Sequence, residues 1–302
     1  MHSIRRILPL LLAALLSTGL AGPGLAATAP EPPTPDTRVL RLDIDGHSVD
    51  LVTQVFRPEG PGPFPLVIFS HGRSADPDVR AQLKNPVPLG HVRYWLRKGV
   101  AVVAAIRPGY GATGGADREN SSARWPAGAT RCTGQPDFTV VARNARATVH
   151  ALHQWALQQP WVRHDRILLE GQSVGGLTTI AAAAENLPGV VGAVNFSGGA
   201  GGKPAVAPGQ SCRPELLTDV YRQLGTQVHV PTLWLYAEND QFWGPRMPSL
   251  WFDAFRQGGS DARFVAAPAL EGTDGHRLLL AGGRHWQEPL DRFVEKVGLV
   301  AH

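Results

Sequence analysis

Short apolar runs recur along this chain at intervals that leave room for a helix between them, and that alternation limits the fold more than any other feature. The runs fall at 66–69, 100–106, 167–169, 190–196, 232–236 and 262–267. Strands so dense in apolar residues are buried on both faces, as in a parallel sheet covered by helices. Ahead of them, 38–45 and 49–56 flank Gly46 and predict an opening antiparallel pair. Between the runs, 139–157 places Val141, Ala145, Thr148, Val149, Leu152 and Trp155 at helical spacing, with Pro160 just beyond. Segments 174–185, 214–224, 249–257 and 286–297 read as helices in the same way. The expectation is an α/β domain: one doubly wound, mostly parallel sheet of about eight strands over residues 38–302, with no separate cap domain.

The N-terminal segment stands outside that pattern. Arg5 and Arg6 precede an apolar run over 7–16, and Gly24-Leu25-Ala26 follow. A charged, then apolar, then small-residue order predicts a signal peptide over 1–26, and hence an exported chain, periplasmic or secreted. The run is too short to span a bilayer, which takes about 20 residues, so no stable membrane anchor is expected. Residues 27–37 hold Pro30, Pro32, Pro33 and Pro35 and read as an extended linker. The 29 Lys and Arg exceed the 25 Asp and Glu only slightly and form no run. Nucleic-acid binding therefore has no support. The two cysteines build neither a disulfide scaffold nor a four-cysteine zinc site.

One pentapeptide carries the chemistry. The run ending in Ile167-Leu168-Leu169-Glu170 leads into Gly171-Gln172-Ser173-Val174-Gly175-Gly176 and then an alanine-rich helix. G-x-S-x-G between a strand and a helix is a sharp turn that lifts the serine hydroxyl above the sheet, at a helix N-terminus that favours negative charge. Ser173 is thus the candidate nucleophile. With these residues the chain resembles the α/β-hydrolase family, closest to single-domain dienelactone-hydrolase-like esterases. Those often use Cys where Ser173 stands, so the resemblance implies a general serine esterase rather than their substrate.

The family order of nucleophile, acid, histidine implies the remaining partners. Asp240, after the run 232–236, is the expected acid, with Glu238 as the alternative. His276, in Asp274-Gly275-His276, is the expected base, with His285 competing. The turn His71-Gly72-Arg73-Ser74 is similar to the family's oxyanion turn, which implies the backbone N–H groups of Arg73 and Val174 as oxyanion donors; His71 is expected only to support the turn. Gly109-Tyr110-Gly111-Ala112-Thr113-Gly114 matches G-x-G-x-x-G, but Pro108 precedes it and no helix pattern follows, so dinucleotide binding is not expected. His150 and His153 lie one helical turn apart without a third ligand, and no metal or other cofactor is expected.

Two connections, 112–137 and 197–213, exceed simple turns, and both leave strands at the carboxyl edge of the sheet, where open α/β folds bind ligands. Each holds one cysteine. In an oxidising compartment Cys132 and Cys212 are expected to form a disulfide tying the two loops over the site. Tyr110, Trp125, Phe242 and Trp243 are candidates to line a pocket for a small-molecule ester. Two rival functions remain open: a serine peptidase similar to the catalytic half of prolyl oligopeptidases, and a non-catalytic binding protein on the same fold.

Overall fold

The computed structural model describes residues 31–126, 128 and 131–300; the expected signal peptide and the start of the linker lie outside them. The chain opens with β1 (Asp36–Ile44), β2 (His47–Phe56) and β3 (Phe64–Ser70), then the short α1 (Pro77–Ala81) and α2 (Leu89–Arg97). Strand and helix then alternate through β4 (Ala101–Ala105), α3 (Phe138–Ala156), β5 (Val162–Gln172), α4 (Val174–Ala183), β6 (Val190–Phe196), α5 (Pro214–Gly225), β7 (Thr232–Ala237), α6 (Met247–Arg256) and β8 (Ala262–Ala267). Two helices, α7 (Leu278–Ala281) and α8 (Gly283–Lys296), close the chain.

All eight strands form one sheet in the order β1-β2-β4-β3-β5-β6-β7-β8. The pairings β1–β2 and β2–β4 are antiparallel, and every later pairing is parallel. From β4 and β3 through β8 the strands therefore end at one edge, where the functional loops emerge. Alternate side chains feed two cores, as the period of two in a strand requires. Leu66 and Ile68 pack with Val141, Leu177, Tyr221 and Phe252 of α3 to α6 on one face. Val67 and Phe69 pack with Trp95, Leu279 and Leu290 of α2, α7 and α8 on the other.

Several elements differ from the sequence expectation, three of them with a clear cause. β1 begins at Asp36, two residues inside the expected linker, because Asp36 and Thr37 pair with Val55 and Gln54. β5 begins at Val162 and runs through the exposed Arg163, His164 and Asp165, a polar stretch that hides a strand start. α2 is an unforeseen helix, boxed in by Pro86 and Pro88, that buries His91, Val92, Tyr94 and Trp95 on the sheet. Among the described residues no helix is long and apolar enough to cross a membrane.

Candidate active site

Between the last residue of β5 and the first of α4 the chain allows one residue, Ser173. Its backbone sits at φ 60°, ψ −126°, a region a side-chain-bearing residue occupies at a cost on the order of 1–3 kcal/mol. The surroundings enforce it. A side chain at Gly171 would strike the Gly175 carbonyl, and one at Gly175 would strike the carbonyls of Ser70 and His71. The two motif glycines are thus the places where β5, α4 and the end of β3 touch backbone to backbone. The Ser173 N–H donates to the Phe196 carbonyl at 2.9 Å, and the Ser173 carbonyl accepts from Gly176 and Gly199 at 2.9 and 3.1 Å.

Asp240 follows β7 and is buried, at 1% exposure, whereas Glu238 faces solvent. One Asp240 oxygen accepts from the backbone N–H groups of Phe242 and Trp243 at 2.8 and 3.1 Å. The other lies 3.0 Å from Nδ1 of His276. A carboxylate can only accept there, so Nδ1 carries the proton and Nε2 keeps its lone pair. His276 sits in a one-turn 3₁₀ helix, Gly275–Arg277, whose start is capped by the Asp274 carboxylate accepting from the His276 N–H at 2.8 Å. Phe242 stacks on the imidazole at 4.0 Å between centroids, and Trp243 meets it edge-on at 5.4 Å. His285 lies in α8 and accepts from Arg284.

Ser173 and His276 line one cavity of about 290 Å³, together with Gly72, Arg73, Tyr110 and Phe242. The side chain of Gln172, next to Ser173, donates to the His276 carbonyl at 2.9 Å and ties the two loops together. Among the described residues no hydrogen bond joins the Ser173 hydroxyl to His276; in ligand-free sites such contacts are commonly long and close when substrate binds.

A second cavity of about 310 Å³ also borders Ser173, lined by Arg73, Val174, Trp125, Phe242 and Trp243 among others. Among the described residues the backbone N–H groups of Arg73 and Val174 have no hydrogen-bond acceptor. His71 also lines the smaller cavity, but both its ring nitrogens are committed: Nδ1–H donates to the Gly72 carbonyl at 2.7 Å and Nε2 accepts from the Arg107 N–H at 3.1 Å. Burial, with the Arg107 charge second, holds its pKa well below the ordinary histidine range. It remains a neutral brace.

The long loops 112–137 and 197–213 supply the far wall of the larger cavity, with Asp117, Glu119 and Trp125 from the first and Gly201 and Lys203 from the second. Cys132 and Cys212 join them by a disulfide, with Cα atoms 5.3 Å apart. The Trp125 indole N–H donates across to the Gly201 carbonyl at 2.9 Å. Of the four aromatic pocket candidates, Tyr110 commits its hydroxyl to Glu119 at 2.7 Å, and Trp243 its indole N–H to the Ser197 carbonyl at 2.8 Å. Both still present ring surface to a cavity. The G-x-G-x-x-G stretch closes on itself, Gly109 N–H to the Gly114 carbonyl at 2.6 Å, and opens no α-helix. His150 and His153 bond to different partners, the Glu185 carboxylate and the Pro188 carbonyl. Sequence reasoning missed Gln172 as a tie to the histidine loop, and missed Asp117 and Glu119 altogether.

No protein-family model matches the chain, and no curated protein does. Solved structures do. A 2,6-dihydroxy-pseudo-oxynicotine hydrolase is 17% identical with TM-score 0.55, over 87% of this chain and 68% of its own. The Pyrococcus horikoshii acylaminoacyl peptidase is 15% identical with TM-score 0.57, over 87% of this chain; the chain spans only 41% of that peptidase. Thermogutta terrifontis esterase 2, in a structure phosphonylated by sarin, is 14% identical with TM-score 0.56, over 90% of this chain and 98% of its own. With its strand order, its serine turn between β5 and α4, and these neighbours, the chain has the α/β-hydrolase fold.

Proposed function

We propose that the chain is an exported serine hydrolase that cleaves carboxylic esters through an acyl-enzyme on Ser173. The observation that carries this is the buried Asp240–His276 pair, whose imidazole borders the cavity that Ser173 also lines. A serine hydroxyl is a weak nucleophile until a base takes its proton. In this reading Nε2 of His276 accepts that proton while the Ser173 oxygen attacks the ester carbonyl carbon. Asp240 stabilises the imidazolium and fixes its tautomer. The carbonyl oxygen gains negative charge and is met by the N–H groups of Arg73 and Val174, which have no acceptor within the described residues. Each such donor is typically worth about 2.7–4 kcal/mol in the transition state. The imidazolium then protonates the departing alkoxide, and water, deprotonated in turn by His276, resolves the acyl-enzyme.

The two cavities that share Ser173 suit the acyl and alcohol parts of a small ester, with Tyr110, Trp125, Phe242 and Trp243 as wall. Export is supported by the composition of residues 1–26 and by a disulfide between surface loops, a bond that persists in oxidising compartments. The test is turnover of a p-nitrophenyl ester series by the mature protein and its Ser173→Ala variant, with fluorophosphonate labelling. The expected result is labelling of wild type alone and loss of at least about 10⁴-fold in kcat. Wild-type-like turnover in the variant overturns the reading. The peptidase alternative draws on the acylaminoacyl peptidase among the structural neighbours. Amide substrates assayed beside the esters separate the two.

A further inference from the structure

The loop from His71 to Ala75, which carries the unpartnered Arg73 N–H, is held by two arginines, one near each end. Arg107 donates from Nη1 to the His71 carbonyl at 2.6 Å and from Nη2 to the Gly72 carbonyl at 3.4 Å. Arg80 donates from Nη1 to the carbonyls of Ser74 and Ala75 at 3.0 and 2.9 Å. Four of the loop's five carbonyls therefore accept from guanidinium groups, and the peptide that carries the Arg73 N–H is held through its Gly72 carbonyl, which also accepts from His71 Nδ1 at 2.7 Å. Each arginine is fixed in turn by a carboxylate. Glu119 takes Arg107 through two bonds, at 2.6 and 3.0 Å, with all charged atoms buried. Asp117 takes Arg80 at 3.4 Å and the Arg73 side chain at 2.5 Å.

The two acids are one unit. The Glu119 N–H donates to the Asp117 carboxylate at 3.1 Å, Tyr110 donates its hydroxyl to Glu119 at 2.7 Å, and the Asn144 amide of α3 holds the Arg118 carbonyl. The glycine-rich turn lies directly beneath. A side chain on Gly109 would collide with the Ala116 carbonyl and the Asp117 backbone.

We propose that Asp117 and Glu119 are positioning residues for ester hydrolysis: acting through Arg80 and Arg107, they lock the 71–75 loop so that the Arg73 N–H is preorganised for the oxyanion. The proposal rests on the serine-hydrolase reading above. Preorganised donors are effective because they need no rearrangement as charge develops, and a misplacement of about 1 Å at a reacting group can cost 10²-fold. Neutral amides at 117 or 119 keep the shape but weaken the grip on the arginines, since charge-assisted bonds are roughly twice as strong as neutral ones.

Asp117→Asn and Glu119→Gln are compared with wild type for kcat and KM on one p-nitrophenyl ester, for inhibition by a trifluoromethyl ketone, and for melting temperature. The ketone's adduct carries an oxyanion, so it reads the loop geometry, which a purely structural role would leave alone. In folded variants kcat should fall about 10- to 100-fold with KM within about twofold, and the ketone Ki should rise in step with the loss. Glu119 is buried against a charge, so its variant could fail to fold. Asp117 is partly exposed, and its variant then decides the matter. A folded variant with wild-type kcat, or one in which KM alone rises, overturns the proposal. A wild-type protein that neither turns over esters nor takes fluorophosphonate overturns the hydrolase reading and this proposal with it. An active wild type with insensitive variants overturns this proposal alone.

Discussion

Removing the Cys132–Cys212 bond separates what the disulfide does for the fold from what it does for the site. The two cysteines are 80 positions apart. Closing a loop of that length removes chain entropy from the unfolded state worth about 4.5 kcal/mol at 25 °C in the loop-closure treatment, against about 2–4 kcal/mol for typical measured bonds. At about 2–4 °C per kcal/mol for a domain of this size, the Cys132→Ala/Cys212→Ala variant should melt roughly 5–15 °C lower under oxidising conditions. Cys212 is fully buried, so the alanine also leaves a small void, which adds to the drop by about 1 kcal/mol. Reductant resolves the two contributions. Wild type should fall toward the variant on adding dithiothreitol, while the variant should not move. The site should register the change below the melting range. The joined loops carry Trp125 and Gly201 in the wall of the larger cavity, whereas Ser173 and Asp240 follow the buried strands β5 and β7, and His276 is held by Asp240. KM should therefore rise with little change in kcat. Melting temperatures of wild type and variant within about 2 °C of each other, with no response to reductant, would refute the reasoning.

Asp240→Asn keeps the acceptor for the Phe242 and Trp243 N–H groups but opposes an amide to Nδ1 of His276 and so favours the unproductive tautomer. A loss on the order of 10⁴-fold in kcat is expected, while Glu238→Gln, at an exposed position, should stay near wild type. A loss under about tenfold for Asp240→Asn would sink the assignment. His71 supplies a pH signature in stability rather than in catalysis. Burial holds its folded pKa well below the ordinary 6.5, so the unfolded chain takes up the proton first as pH falls. Stability linked to this group is full above about pH 6.5 and is lost below it, by up to about 1.4 kcal/mol per pH unit. Denaturant unfolding of wild type and His71→Asn between pH 7 and 5 should show a shallower pH slope in the variant; equal slopes would refute the linkage.

What could be read from the chain was whatever local backbone geometry dictates. Ser173 was legible because its turn demands small residues at two fixed offsets, and the apolar strand before it and the helix after it are contiguous. Family order pointed only to an acid after β7, and proximity to the strand disfavoured Glu238; the structure exposes Glu238 and buries Asp240 against His276. The α2 helix was hidden because the prolines at 86 and 88 read as loop, and because its inward face includes a histidine bonded to the buried Glu170.

The acids behind the 71–75 loop were hidden for a different reason. Their partners lie 12 to 44 positions away, inside a polar connection where one carboxylate looks like any other. The glycine-rich stretch beside them also carries a false signal. G-x-G-x-x-G means a phosphate site when a helix follows, because the glycines then let a ligand approach the backbone. Here the chain itself makes the approach: Ala116 and Asp117 come back over Gly109 and lie where a ligand would. One spacing thus answers two physical demands, and the segment that follows it, a helix or a returning acidic turn, decides which.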